Sequence, residues 1–150
     1  MKRPLSRIHW ARQVAAWQRE GLRVVFTNGC FDVLHAGHVR TLAFAKTQGD
    51  VLLVGLNSDG SIRQLKGPRR PVNPLRQRAE VLEALSAVDG VVSFEELTPR
   101  RLLSLLRPDV LVKGADWRGH EIAGAEYVRR VAFAPVVRGL SSTMIVAGLE

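Results

Sequence analysis

The chain has 150 residues, 46% of them hydrophobic and 24% charged, which is the size and balance of one globular domain. No apolar run approaches the ~20 residues that a membrane helix needs, no apolar stretch follows the basic Met1-Lys2-Arg3 start as a secretory signal requires, and the single cysteine, Cys30, excludes an intrachain disulfide. The net charge of +8 favours an anionic partner, whether nucleic acid, phosphorylated metabolite or membrane surface, and the missing signals point to a cytoplasmic protein.

In chain order, the pattern from Leu5 to Glu20 predicts a helix stopped by Gly21. Arg23 to Asn28 reads as a buried strand, and a helix follows from Gly37 to Gly49. Val51 to Asn57 is the second strand. Asn73 as cap and Pro74 at the first helical position predict a helix whose face carries Leu75, Ala79, Leu82 and Leu85. Gly90 to Phe94 is the third strand. Thr98-Pro99 opens a helix through Leu106, and Asp109 to Lys113 is the fourth strand. A helix from Ala123 to Val131, a fifth strand from Ala132 to Val137 and a last helix from Ser141 complete the chain. Strands alternating with crossover helices predict an α/β fold: a single Rossmann-like domain with a doubly wound sheet of about five parallel strands.

In such a sheet ligands bind beyond the carboxyl ends of the strands. The segments to read for chemistry are therefore 29–38, 57–70, 113–120 and 138–143. The first reads Gly29-Cys30-Phe31-Asp32-Val33-Leu34-His35-Ala36-Gly37-His38. Gly29 permits a tight exit from the strand, and Gly37 lets a ligand approach a helix N-terminus, whose amides and dipole attract anions. His35 and His38, three apart, share a helical face, and each can donate to a phosphate oxygen. Two imidazoles beside helix amides suit the stabilisation of charge in phosphoryl-type transfer. Two histidines fall short of the three or four protein ligands of a zinc site, so metal ligation by side chains is not expected. Cys30 reads as a small packing residue. Lys66-Gly67-Pro68-Arg69-Arg70-Pro71 reads as a swinging cationic loop suited to a polyphosphate. Lys113 ends the fourth strand at the same sheet edge. Asp116 can order a sugar hydroxyl or a water on a magnesium ion, or be a turn residue.

Asn28 to Asp32 together with His35-Ala36-Gly37-His38 resembles the signature of the cytidylyltransferase-like nucleotidyltransferase superfamily. Further segments (55–59, 65–68, 70–75, 110–114 and 141–143) extend the resemblance from about Leu22 to Val146. They resemble the branch that adenylylates D-glycero-β-D-manno-heptose 1-phosphate. The two-histidine motif marks only the superfamily; Leu65 to Leu75 and Lys113-Gly114-Ala115-Asp116 narrow it to the heptose branch. That resemblance implies a transfer of AMP from ATP, carried with Mg2+, to the sugar 1-phosphate, giving ADP-heptose and pyrophosphate. It implies catalytic roles for His35, His38 and Lys66. Nucleotide contacts fall by the same match on Gly29, Cys30, Phe31, Asp32, Gly37, Arg78, Lys113, Gly114, Asp116, Ser141, Ser142 and Thr143. Asn57, Asp59, Arg69 and Arg70 are the substrate-side candidates. Ser142 stands where the heptose branch has threonine and keeps the hydroxyl. The sugar-kinase domain fused in some members has no counterpart in this sequence, so a stand-alone transferase is expected. A homodimer is implied, with no nucleic-acid or membrane partner.

A transferase of the same fold acting on glycerol 3-phosphate, a flavin or another phosphate, with CTP or ATP, is the nearest alternative. A basic nucleic-acid module is the more distant one: the charge allows it, but no known motif is present and only nine aromatics are spread along the chain.

Overall fold

The computed structural model describes residues 5–136. The expected end of the fifth strand at Val137 and the helix from Ser141 lie outside the described residues. Helix α1 (Arg7–Arg19) starts where the Ser6 hydroxyl accepts a hydrogen bond from the His9 amide. Then follow β1 (Val24–Gly29), α2 (Ala36–Thr47), β2 (Val51–Asn57), α3 (Asp59–Lys66), α4 (Leu75–Glu83), β3 (Gly90–Phe94), α5 (Arg100–Leu106), β4 (Val110–Gly114) and β5 (Arg130–Ala134).

The five strands form one sheet in the order β3-β2-β1-β4-β5, every pair parallel, as the alternating pattern predicts. Strand residues alternate between two apolar layers. Val25, Leu52, Val54 and Val112 face Leu42 and Ala45 of α2 and Leu82 of α4. Val24, Phe26, Leu53 and Leu111 face Trp10 and Val14 of α1 and Leu102, Leu103 and Leu106 of α5. Burial on both faces is why the strands read as apolar runs. The chain winds outward from β1 to β3, then crosses to β4 on the other side. The reversal lies between β1 and β4.

One device repeats along the amino edge of the sheet. Asp50, Asp89 and Asp109 each precede a strand. Each amide donates to a carbonyl on the neighbouring strand's first residues, and each carboxylate accepts the amide of that same residue. The pairs are Asp50 with Arg23, Asp89 with Leu52 and Asp109 with Val24, with carboxylate bonds of 2.7, 2.7 and 2.8 Å. A reciprocal pair of this kind fixes strand register at the point where the ladder begins.

Three expectations need correction. The segment after β2 is not all loop: Ser58 caps α3 by accepting from the Ser61 amide, and Gly67, at φ +96°, ends it after Lys66. The helix expected from Ala123 to Val131 is one 3₁₀ turn, Ala125–Tyr127, and β5 already begins at Arg130. Gly124 breaks it with φ +89° and presses on Leu103, whose Cδ1 would lie 2.4 Å from an added Cβ. At α4 the cap position is Pro74, not Asn73.

Gly90 touches the Trp10 ring so closely that a Cβ would stand 2.3 Å from it. Gly90→Ala is expected to cost about 1–3 kcal/mol by overpacking, read by urea denaturation. Trp10→Phe in the same chain should return part of that loss.

Candidate functional site

The carboxyl ends of β1 and β4 flank the reversal, where a crevice for ligands forms in this class of sheet. Lys113, at the end of β4, spans it: its ammonium donates to Asn28 Oδ1 on β1 at 2.9 Å. Burial pushes the Lys113 pKa down to about 8, against the nearby Asp116 carboxylate.

Beyond Gly29 the chain turns sharply. Phe31 takes φ +45° and buries its ring, 5.2 Å from that of His38. His35 is the N-cap of α2. The Gly37 amide donates to His35 Nδ1 (3.1 Å), and the His35 amide donates to His38 Nδ1 (3.2 Å). A backbone N–H can only donate, so both Nδ1 atoms are acceptors and both rings carry their proton on Nε2. The rings stack 3.9 Å apart. Burial, then the neighbouring His35 ring and Lys66, lowers the His38 pKa to about 4. His38 is a neutral donor at neutral pH. Protonation, which would break its bond to the His35 amide, is not the source of its donor capacity. Gly37 is buried, and its amide is spent on His35.

Asp32, expected at the nucleotide, is instead held inside the protein. Its carboxylate accepts from Arg70 Nε (2.7 Å), the Val72 amide (2.8 Å) and the Asn73 amide (2.8 Å). The Asn73 side chain donates to its carbonyl (2.6 Å). Burial alone would raise its pKa, but those two amides and Arg70 together hold it below the ordinary value. Arg78, also expected at the nucleotide, has a fully buried side chain. It donates to the carbonyls of Asn73, Cys30 and Asn57 and to the Asp59 carboxylate. Asn57 and Asp59, expected at the substrate, complete this frame. Asn57 Nδ2 donates to Ser61 Oγ, and Asp59 Oδ1 also accepts from the Leu75 amide, satisfying the start of α4. These four residues tie the segments after β1 and β2 to α4.

Three buried side-chain donors remain without a partner among the described residues: Trp10 Nε1, in the core layer under α1, and His35 Nε2 and Arg70 Nη2 at the carboxyl edge of the sheet. An unsatisfied buried polar group costs about 1–3 kcal/mol. His35 and Arg70 sit on segments that the Asp32 frame brings together, and both donors suit an anion oxygen. Lys66, exposed at the end of α3, lies close enough for its charge to act on His38 and Cys30. Burial raises the Cys30 thiol pKa above its ordinary value, which fits a packing role. Asp116 is exposed beside Gly114, where a Cβ would meet its Oδ1 at 2.5 Å. Arg69 is exposed on the same loop as Arg70. Ser141, Ser142 and Thr143 lie outside the described residues.

Sequence reasoning passed over Asn28 as a side chain, Asn73 as the lock on Asp32, and Trp117, whose ring lies under the Lys113 ammonium at 5.0 Å. Trp117 carried a signal: an aromatic placed directly after a strand, in a segment already marked for chemistry.

Among the described residues no group of three or more His, Cys, Asp or Glu side chains could hold a metal ion, and no helix is long and apolar enough to cross a membrane. Residues 26–148 match the cytidylyltransferase-like family. The chain is 53% identical over 150 residues to the bifunctional protein HldE of Gluconacetobacter diazotrophicus, covering 97% of this chain and 31% of that one. With the HldE of Mesorhizobium japonicum it shares 54% over 144 residues, 93% of this chain and 29% of the other. It thus spans less than a third of those relatives. The lipopolysaccharide core biosynthesis protein of Thermoplasma volcanium superposes with a TM-score of 0.62 at 25% identity, over 78% of this chain and 98% of that one. The pantoate-beta-alanine ligase of Francisella tularensis shares the fold at 16% identity, with a TM-score of 0.54 over 92% of this chain and 74% of that one.

The His38 ring should titrate near pH 4 by NMR rather than near the ordinary 6.5. Because the folded value is the lower one, its contribution to stability is lost as pH falls from about 6.5 through 4. Arg78→Met should cost about 3–5 kcal/mol in chemical denaturation, since it strands the Asp59 carboxylate and three carbonyls.

Proposed function

Because the chain belongs to the cytidylyltransferase-like family, we propose that it transfers AMP from ATP to D-glycero-β-D-manno-heptose 1-phosphate, releasing pyrophosphate. The observation that carries the reading is that two of the three orphaned buried donors, His35 Nε2 on the β1–α2 turn and Arg70 Nη2 beside Asp32, fall together at the carboxyl edge of the sheet. The heptose rests on the resemblance of Leu65 to Leu75 and Lys113 to Asp116. The HldE relatives and the lipopolysaccharide core biosynthesis protein support it.

The nucleophile in this reaction is a phosphate oxygen, already ionised at neutral pH, so no general base is required. What remains is positioning and neutralising charge that grows toward the leaving pyrophosphate. His35 and His38 do this as neutral Nε2–H donors whose orientation is fixed through Nδ1. Arg70 presents Nη2 while Asp32 holds its Nε. Lys66 and Lys113 approach from α3 and β4. Residues 141–143 would complete the triphosphate cradle by resemblance. These donors fit a magnesium triphosphate through its phosphate oxygens; none can ligate the ion. Magnesium, when bound, would neutralise part of the phosphate charge. The same resemblance implies a homodimer.

Incubation with Mg2+, the heptose 1-phosphate and either ATP or CTP tests the proposal. ADP-heptose and pyrophosphate should appear with ATP. Absence of pyrophosphate with both nucleotides, or preference for CTP, overturns it. His38→Ala should keep the fold and lower turnover by roughly 10²–10³, the usual loss for one transition-state donor. Lys66→Ala should weaken ATP use and lower turnover together. The pH profile of kcat/KM should fall above about 8, where Lys113 loses its charge, and no acid limb at the ordinary histidine value should come from His38.

A further inference from the structure

Lysine has a flexible four-carbon stem and a strongly hydrated head, so an ammonium that must reach a fixed point needs to be held there. Lys113 is held from two sides. Asn28 Oδ1 accepts from it at 2.9 Å, and the indole of Trp117 lies 5.0 Å away, ring centroid to Nζ. Trp117 closes the 3₁₀ turn Ala115–Trp117 directly after β4 and is 42% exposed. The charged neighbours are few. Asp116, one residue before Trp117, is the carboxylate whose charge acts on Lys113, yet no ion pair forms between them among the described residues. On β5, Phe133 pairs with Lys113 in register and carries the Arg118 guanidinium over its ring at 4.7 Å. His120 meets the Trp117 ring on edge.

We infer that Trp117 is a positioning residue: its ring and the Asn28 amide hold the Lys113 ammonium over the crevice between β1 and β4, ready for a substrate phosphate, where it would otherwise collapse onto Asp116. The inference rests on the proposed transferase reading only for the identity of that phosphate. The ring attracts the cation by its quadrupole and shields it from water at the same time. Burial, against the raising charge of Asp116, holds the Lys113 pKa at about 8 rather than the ordinary 10.5. Opening that face exposes the ammonium and frees it toward Asp116, and both changes favour the charged form.

The chain has four lysines, Lys2, Lys46, Lys66 and Lys113, so NMR of Cε-labelled lysine follows each one without any substrate. In the wild type Lys113 should titrate near 8. Trp117→Ala should raise that midpoint by about one unit or more, and Trp117→Phe should stay within about half a unit. In turnover, Trp117→Ala should lower kcat/KM about tenfold and Trp117→Phe should restore most of it. Added to Lys113→Met, Trp117→Ala should cost nothing further. An unmoved Lys113 midpoint in Trp117→Ala overturns the inference. So does a loss that multiplies with that of Lys113→Met, because the ring would then act on substrate by itself. A wild type that releases no pyrophosphate sinks the transferase reading, and the titration still decides the cradle.

Discussion

The geometry of the carboxyl edge depends on one buried carboxylate. Asp32 has no exposed side-chain surface and accepts from a guanidinium and two amides, while its own carbonyl accepts from Asn73. A buried ion pair contributes little net stability unless its remaining hydrogen-bonding capacity is met. Here it is met by the backbone of residues 72 and 73, so the pair orders a loop that would otherwise wander. Arg70 gains a fixed Nε and is left with a spare Nη2. The same anchoring sets the exit of β1 against the entry of α4, which Arg78 then locks from beneath.

Electrostatic design in this site runs through neutral groups as much as through charges. Two stacked imidazoles cannot both be cations without repulsion, and each gives its Nδ1 to a backbone amide. The result is a pair of oriented dipoles that need no rearrangement when negative charge develops nearby. Full charges are kept further out, on Lys66 and Lys113, or are tied by one nitrogen, as in Arg70. In the proposed reaction, preorganised dipoles near the reacting atoms and cations around them divide orientation from attraction.

Much of this was legible in the sequence. The strands announced themselves as apolar runs between turn residues, because both faces of the sheet are covered. The two-histidine turn was readable because its glycines and its place after a strand all point the same way. Helix α3 was not readable: eight residues carrying Gly60 and Ser61, between Ser58 and Gly67, look like loop, and only the cap geometry reveals the turn. Asp32, Asn57, Asp59 and Arg78 were assigned to ligands, and in the structure they bond to the protein's own groups. A carboxylate or guanidinium has the same sequence signature whether it meets a nucleotide or the protein's own backbone. Burial decides between those roles, and burial of one side chain is set by segments 40 residues away. The false helix at Ala123 to Val131 arose because Ile122, Tyr127, Val128 and Val131 are all apolar and pack on one core layer, but from a turn and a strand rather than from one helical face.

The reciprocal aspartate pairs stand at the end of the sheet furthest from these donors. They clamp β1, β2, β3 and β4 by short, local bonds that make no reference to any ligand. The fold is thereby secured from its base, while the rim carries the chemistry on side chains and turns. Such an arrangement lets a lineage rewrite its substrate repertoire at the rim without reopening the question of whether the chain folds, and a scaffold of this kind is a good starting point for directed changes in acceptor choice.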